Sequence, residues 1–102
     1  KKSMRITIDC TDEETCERIR DLLHYNLATS VAEISNVRIS VSQEMDSFGS
    51  RLVRCRMLTQ LRSHENIAID ELQSSAEMAL TRAIERTSRT LQRRRTVAGA
   101  SR

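Results

Sequence analysis

Aromatic residues are almost absent from the sequence, which has one Phe, one Tyr and no Trp in 102 residues. Proteins that bind single-stranded nucleic acids usually stack the bases on aromatic side chains. Tyr25 and Phe48 alone do not provide such a stacking surface. We therefore do not expect an aromatic platform for single-stranded RNA or DNA.

Long apolar segments are also missing, so the sequence predicts no membrane span. The first residues, Lys1-Lys2-Ser3-Met4, lack the apolar core of a secretory signal, and we expect a cytoplasmic protein. The three cysteines, Cys10, Cys16 and Cys55, do not have the spacing of a zinc site or a disulfide framework. We expect them to be reduced thiols that act as small apolar residues.

Motifs for catalysis are missing as well. The sequence has no phosphate-binding glycine-rich loop, nucleophile elbow or metal-ligand spacing. His24 and His64 lie far apart in sequence without an acidic partner, and the acids of residues 12–14 suit a helix start. We predict no enzyme, hence no catalytic residues, no metal, no cofactor and no small-molecule substrate.

Charge is distributed unevenly along the chain. The first 73 residues carry ten Lys or Arg and twelve Asp or Glu, whereas the last 29 carry seven Arg and only two Glu. A basic C-terminal third on a nearly neutral body is typical of proteins that bind polyanions.

The spacing of apolar residues predicts the fold class. Alternation predicts strands near residues 4–9, 37–42, 53–58 and 67–72. Helical spacing predicts helices over about 13–28 and 74–95. The order β-α-β-β-β-α gives an α+β fold in which two helices pack on one face of a four-stranded sheet, as in double-stranded-RNA-binding domains. We assign a single domain to residues 4–95 and a disordered tail to 96–102. The residues expected to face the helices are Met4, Ile6, Ile8, Val37, Ile39, Val41, Val53, Cys55 and Met57.

The last predicted helix has the clearest functional pattern. One side of it carries an arginine stripe, which comprises Arg82, Arg86, Arg89 and Arg93. At about 100° per residue the stripe is about 60° wide and lies roughly opposite the apolar side. A merely solvated face, which is the alternative, usually mixes Glu with Lys, but the stripe contains no acid. Because a guanidinium binds phosphate bidentately, the stripe predicts an RNA-backbone contact, which Arg94 and Arg95 extend.

The uncovered face of the predicted sheet carries the open-face arginines, which are Arg5, Arg38, Arg54 and Arg56. Arg54 and Arg56 are candidate RNA contacts. Equally, these side chains could pair with acids of the same sheet, namely Asp9, Glu44 or Asp70. A dimer interface on this face is disfavoured by its like charges, and the oligomeric state stays open.

The element order and the segments SSAEMAL at 74–80 and AIERTSRTLQR at 83–93 resemble the ribosome hibernation-promoting factors. These proteins are also called ribosome-associated inhibitors or sigma-factor modulation proteins. The resemblance covers residues 4–95 and is to the short form of the family, which lacks the domain that pairs ribosomes.

The resemblance implies a bacterial stress factor in the cytoplasm that occupies the decoding region of the small ribosomal subunit and inhibits translation. It also implies that the arginine stripe contacts ribosomal RNA, with Arg18 and Arg20 of the first helix as further candidates. Neither the stress that triggers it nor the number of ribosomes silenced follows from the residues.

Two alternatives remain open. The first is a generic double-stranded-RNA-binding module, which shares a related element order but usually begins its last helix with lysines. The second is a protein-interaction regulator that uses the open sheet face.

Overall fold

The computed structural model describes residues 4–100, with side chains described up to Arg95. Its elements are strand β1 (Arg5–Asp9), helix α1 (Glu13–Asn26), strands β2 (Ile34–Met45), β3 (Arg51–Leu61) and β4 (Asn66–Gln73), and helix α2 (Ala76–Ala100). A short 3₁₀ turn (Ala28–Ser30) follows α1. The predicted α+β class and the β-α-β-β-β-α order are confirmed.

The four strands form one sheet in the order β1-β2-β3-β4. Strand β1 runs parallel to β2, and α1 makes the crossover that a parallel pair requires. The β2–β3 and β3–β4 pairs are antiparallel and are joined by short turns. Both helices pack on one face, so the other face of the sheet is uncovered.

The core lies between that covered face and the two helices. Helix α1 contributes Ile19 and Leu23 and its C-cap residue is Leu27, and all three are buried. The buried residues of α2 are Ala79, Leu80, Ala83, Ile84, Thr87 and Leu91. All nine side chains predicted to face the helices belong to this core or pack against it. The alternation in the strands therefore assigned the two faces of the sheet correctly.

A side chain caps the start of each helix, and at α1 this is one of the acids predicted to suit a helix start. The Asp12 carboxylate accepts a hydrogen bond from the Thr15 N–H at 2.6 Å, and the Ser75 hydroxyl accepts one from the Met78 N–H at 3.2 Å. A side-chain oxygen at this position satisfies an amide that the first helical turn leaves free. The Asp12 bond also lowers the pKa of that carboxyl.

Helix α2 continues to Ala100, so the prediction that a disordered tail begins at residue 96 is wrong for 96–100. Residues 96–98 contain no helix breaker, and the loss of an apolar pattern there did not end the helix. The last part of that predicted tail, 101–102, lies outside the described residues.

The cysteine prediction is wrong for two of the three residues. Cys10 and Cys16 form a disulfide across the turn from β1 into α1, with their Cα atoms 6.0 Å apart. The short connection returns the chain so that the first turn of α1 lies beside the end of β1. Cys55 is a buried free thiol, as expected, and burial raises its pKa to about 11.

Candidate nucleic-acid interface

Helix α2 directs its arginine stripe away from the core. Its buried residues lie on one side, whereas all four stripe arginines are exposed or only partly covered. The predicted orientation of the stripe is therefore confirmed. Nothing in this orientation distinguishes a binding face from a solvated one, so the partners of each arginine decide between the two.

Arg86 is not free within the stripe. Its Nη1 atom lies 2.5 Å from Glu71 Oε2, and the Glu71 side chain is only 11% exposed. The alternation of β4 places Glu71 on the helix side of the sheet, beside Ile69 and under α2. Hydrogen bonds from Gln73 and Arg86 lower the pKa of Glu71 and keep it ionised. Arg86 thus neutralises a largely buried carboxylate.

The arginines at the end of the stripe hold α2 to the rest of the fold. Arg94 forms an ion pair with Glu65 in the β3–β4 turn. Arg95 Nε lies 2.8 Å from Glu33 Oε1, and its Nη2 atom donates to the Ser30 hydroxyl at 2.5 Å. The predicted RNA contact at Arg94 is therefore engaged within the molecule.

Three stripe arginines remain: Arg82, Arg89 and Arg93. None of them forms an ion pair with any side chain among residues 4–95. Glu85 lies at the border of the stripe, but within that range it makes no ion pair with Arg89 one turn later. The three guanidinium groups are spread over about 16 Å of helix axis, at a rise of 1.5 Å per residue. They form a row of positive charge that no described acid pairs directly, although the Arg82 charge also helps to lower the pKa of Glu71, and such a row can bind a phosphate backbone.

Helix α1 brings only one of its two candidate arginines beside α2. Arg18 lines a groove between the helices together with Leu22 of α1 and Glu77 of α2. Arg20 is also exposed, but it lies about 200° from Arg18 around the helix axis and so projects from a different flank. The sequence prediction treats Arg18 and Arg20 alike, without distinguishing the flank of α1 from which each projects.

The open sheet face is largely neutralised. Arg54 pairs with Glu44 and, at 2.6 Å, with Asp70, and its side chain is only 23% exposed. Arg56 lies 3.4 Å from the same Asp70 carboxylate. These contacts lower the pKa of both acids, mainly through hydrogen bonds from Arg54. Of the two alternatives left open for Arg54 and Arg56, the structure shows pairing, with Glu44 and Asp70, and this pairing occupies the two arginines of the face that are candidate RNA contacts.

The other two open-face arginines, Arg5 and Arg38, are exposed and form no ion pair within the described part of the chain. They stand on the neighbouring strands β1 and β2, where Thr7 is the register partner of Arg38. A shallow groove crosses the sheet from Thr7 and Arg38 to Leu58 and Asp70. The open sheet face therefore combines basic, acidic, polar and apolar side chains and is not a basic surface.

The described residues provide neither a metal site nor a helical membrane span. Among them, no group of three or more His, Cys, Asp and Glu side chains could hold a metal ion. Neither α1 nor α2, as far as the chain is described, contains an apolar stretch that would cross a bilayer.

Comparison with known proteins adds no relative. A scan against models of protein families finds no match, and a search of curated proteins finds none either. The resemblance to hibernation factors accordingly depends on the segments at 74–80 and 83–93 and on the element order.

Proposed function

We propose that this chain is a non-enzymatic RNA-binding protein that docks the exposed face of α2 on ribosomal RNA of the small subunit. The observation that carries the proposal is the row formed by Arg82, Arg89 and Arg93. These three form no ion pair among residues 4–95, whereas five other arginines of the fold are paired with acids.

The guanidinium groups of this row indicate that the partner is folded RNA. Guanidinium groups bind phosphate oxygens without reading base sequence, so they recognise the backbone and shape of folded RNA. The resemblance to hibernation factors supplies the particular RNA, in the decoding region of the small subunit. Bound there, the protein inhibits translation by occupying the site of messenger and transfer RNA. This role places it in the bacterial cytoplasm and under stress conditions.

Sedimentation through a sucrose gradient tests the proposal. We expect the purified protein to migrate with small subunits at low salt and to dissociate at high salt, since each neutralised phosphate releases counterions. The variant R82E/R89E should remain at the top of the gradient. The matched control R5E/R38E has the same net charge but alters the open face, and it should sediment like the wild type.

Cell-free bacterial translation provides the functional readout. The wild type and R5E/R38E should inhibit protein synthesis at stoichiometric concentrations, whereas R82E/R89E should not. Wild-type protein that stays at the top of the gradient at low salt and leaves translation unaffected would contradict the proposal.

Competition separates ribosome binding from generic duplex binding. A plain RNA duplex of about 16 base pairs, the length that a double-stranded-RNA-binding domain spans, should displace the protein from small subunits only in large excess. Equal affinity for duplex and subunit would favour the generic module. A ribonuclease-resistant protein complex that R5E/R38E disrupts would favour the regulator that uses the open sheet face.

A further inference from the structure

The β2–β3 hairpin extends beyond the rest of the sheet. Strand β4 ends its pairing with β3 at Gln73, opposite Val53, and β1 ends its pairing with β2 at Asp9, opposite Ser40. Strands β2 and β3 continue to the Met45–Arg51 pair. We call the projecting part, residues 44–52, the hairpin arm. Its backbone is held by strands β2 and β3 alone.

The turn at the end of the arm is fixed by its own hydrogen bonds. The Asp46 carboxylate accepts from the Phe48 N–H at 2.8 Å and from the Ser50 N–H at 2.9 Å. The Gly49 N–H donates to the Asp46 carbonyl at 3.1 Å, and Gly49 has a φ of +82°, which favours glycine. The turn is therefore organised without any contact to the core.

This turn presents Phe48 to solvent. The ring is 91% exposed, although phenylalanine is among the residues most often buried. Its chain neighbours are Ser47 and Gly49, which are too small to cover either face of the ring. Even together with Met45, which is 69% exposed, the ring is far smaller than the roughly 800 Å² per partner of a stable protein interface. It matches in size one flat ligand group, such as a nucleic-acid base.

The arm carries two acids and one exposed arginine, and the acids have partners within the described residues whereas the arginine has none. Glu44 is paired with Arg54, and the Asp46 carboxylate accepts from two backbone amides. Arg51 is exposed and forms no ion pair with any described side chain. Arg51 is therefore the charged side chain of the arm that is available to a phosphate, whereas the Asp46 carboxylate keeps its negative charge because backbone amides are neutral.

We propose that the tip of the hairpin arm is a second RNA contact, in which Phe48 stacks on an unpaired base and Arg51 binds a neighbouring phosphate. This inference rests on the proposed function, because it assigns part of the same RNA to a second element. Helix α2 begins at Ala76, just after β4 ends at the base of the arm. Arg82 is thus the member of the unpaired row nearest the arm in the helix. An RNA stem along α2 would present its loop or bulge to the tip.

Tryptophan at position 48 tests the stacking directly. The chain has no other Trp, so the emission of F48W reports on the tip alone. The probes are an RNA hairpin with a loop of unpaired adenines and a blunt duplex of the same stem sequence. We expect the hairpin RNA to quench the emission of F48W, because bases stacked on an indole quench it. The blunt duplex should leave that emission largely unchanged.

Affinities of a variant series supply the second readout. F48A should bind the looped RNA about tenfold more weakly than wild type, as expected for one lost base stack. F48L should lose as much, since leucine is apolar but has no π-face, and F48W should retain affinity. All variants should bind the blunt duplex equally well. Circular dichroism should show one unchanged fold, because the Phe48 side chain is 91% exposed and contributes little to packing.

The outcomes distinguish the two proposals. Wild-type protein that binds neither RNA nor small subunits overturns the proposed function and this inference together. Wild-type protein that binds RNA with F48A equal to it overturns the stacking at the tip and leaves the helix face in place. Full affinity of F48L, or unquenched indole emission from F48W in its saturated complex, also overturns the stacking.

Discussion

Removing two positive charges from α2 should change the salt dependence of RNA binding, whereas removing two from the open sheet face should not. The variants are R82Q/R89Q and R5Q/R38Q. All four arginines are exposed and lack an ion pair among residues 4–95, so neither variant breaks an ion pair of that region. Because their net charges are equal, any difference between them reports on position.

The magnitude follows from counterion release. Each phosphate contact contributes about −0.9 to the slope of log K against log salt for a duplex. If Arg82 and Arg89 each contact a phosphate, R82Q/R89Q should have a slope shallower by about 1.8. Between about 50 and 200 mM salt, the wild type should therefore lose about 12-fold more affinity than the variant. The slope of R5Q/R38Q should stay within error of the wild type.

Fluorescence anisotropy of a labelled RNA stem over a series of KCl concentrations measures both slopes. Equal slopes for the two variants would mean that overall charge, and not the helix face, governs binding. A shallower slope for R5Q/R38Q alone would move the contact to the open sheet face and refute the assignment of α2.

Three further results are expected. The variant E71Q should release Arg86 to the stripe and steepen the salt slope by up to about 0.9, measured by the same anisotropy titration. Stability to urea should be constant above pH 4.5, the ordinary pKa of glutamate, and should fall as the pH drops through the lowered pKa of Glu71, which hydrogen bonds from Gln73 and Arg86 depress. E71Q should lose less stability over that range. Reduction of the Cys10–Cys16 disulfide should lower the free energy of unfolding by about 2 kcal/mol, as for a short closed loop, without changing RNA affinity. An unfolding transition that is insensitive to reductant would contradict the last of these.

Local patterns in the sequence determine the order of elements and the covered face of the sheet. Alternation in β1, β2 and β3 gives a period of two, and the apolar stripe of α2 gives a period of 3.6, so the two kinds of element separate clearly. The same patterns fail in the hairpin arm. Residues 42–44, which lead into the arm, are consecutively polar because the chain leaves the core there. Pairing between β2 and β3 nevertheless continues both strands beyond the last buried residues.

Which arginines form ion pairs within the fold could be predicted only in part. Glu44 and Asp70 were foreseeable partners of Arg54, because alternation places all three on one face of the sheet. The pair between Arg86 and Glu71 joins a helix to a strand, and no spacing within either element indicates it. A signal was nevertheless present: Glu71 falls on the core side of β4, and a carboxylate there needs a partner.

The disulfide constrains where the proposed function can operate. Cytosolic thiols are kept reduced, so a ribosome-bound protein must fold without the Cys10–Cys16 bond. Helix α1 is held in the core without the disulfide, since its residues Ile19 and Leu23 and its C-cap Leu27 are at most 2% exposed. Burying each such side chain contributes about 1.5–3 kcal/mol, which together exceeds the roughly 2 kcal/mol of the disulfide. Reduction should therefore loosen only the first turn of α1 and leave α2 and its exposed arginines in place. A protein that bound ribosomes only when oxidised would contradict this reasoning. In that case the arginines of α2 would bind RNA only with the Cys10–Cys16 disulfide intact, although the disulfide lies at the start of α1.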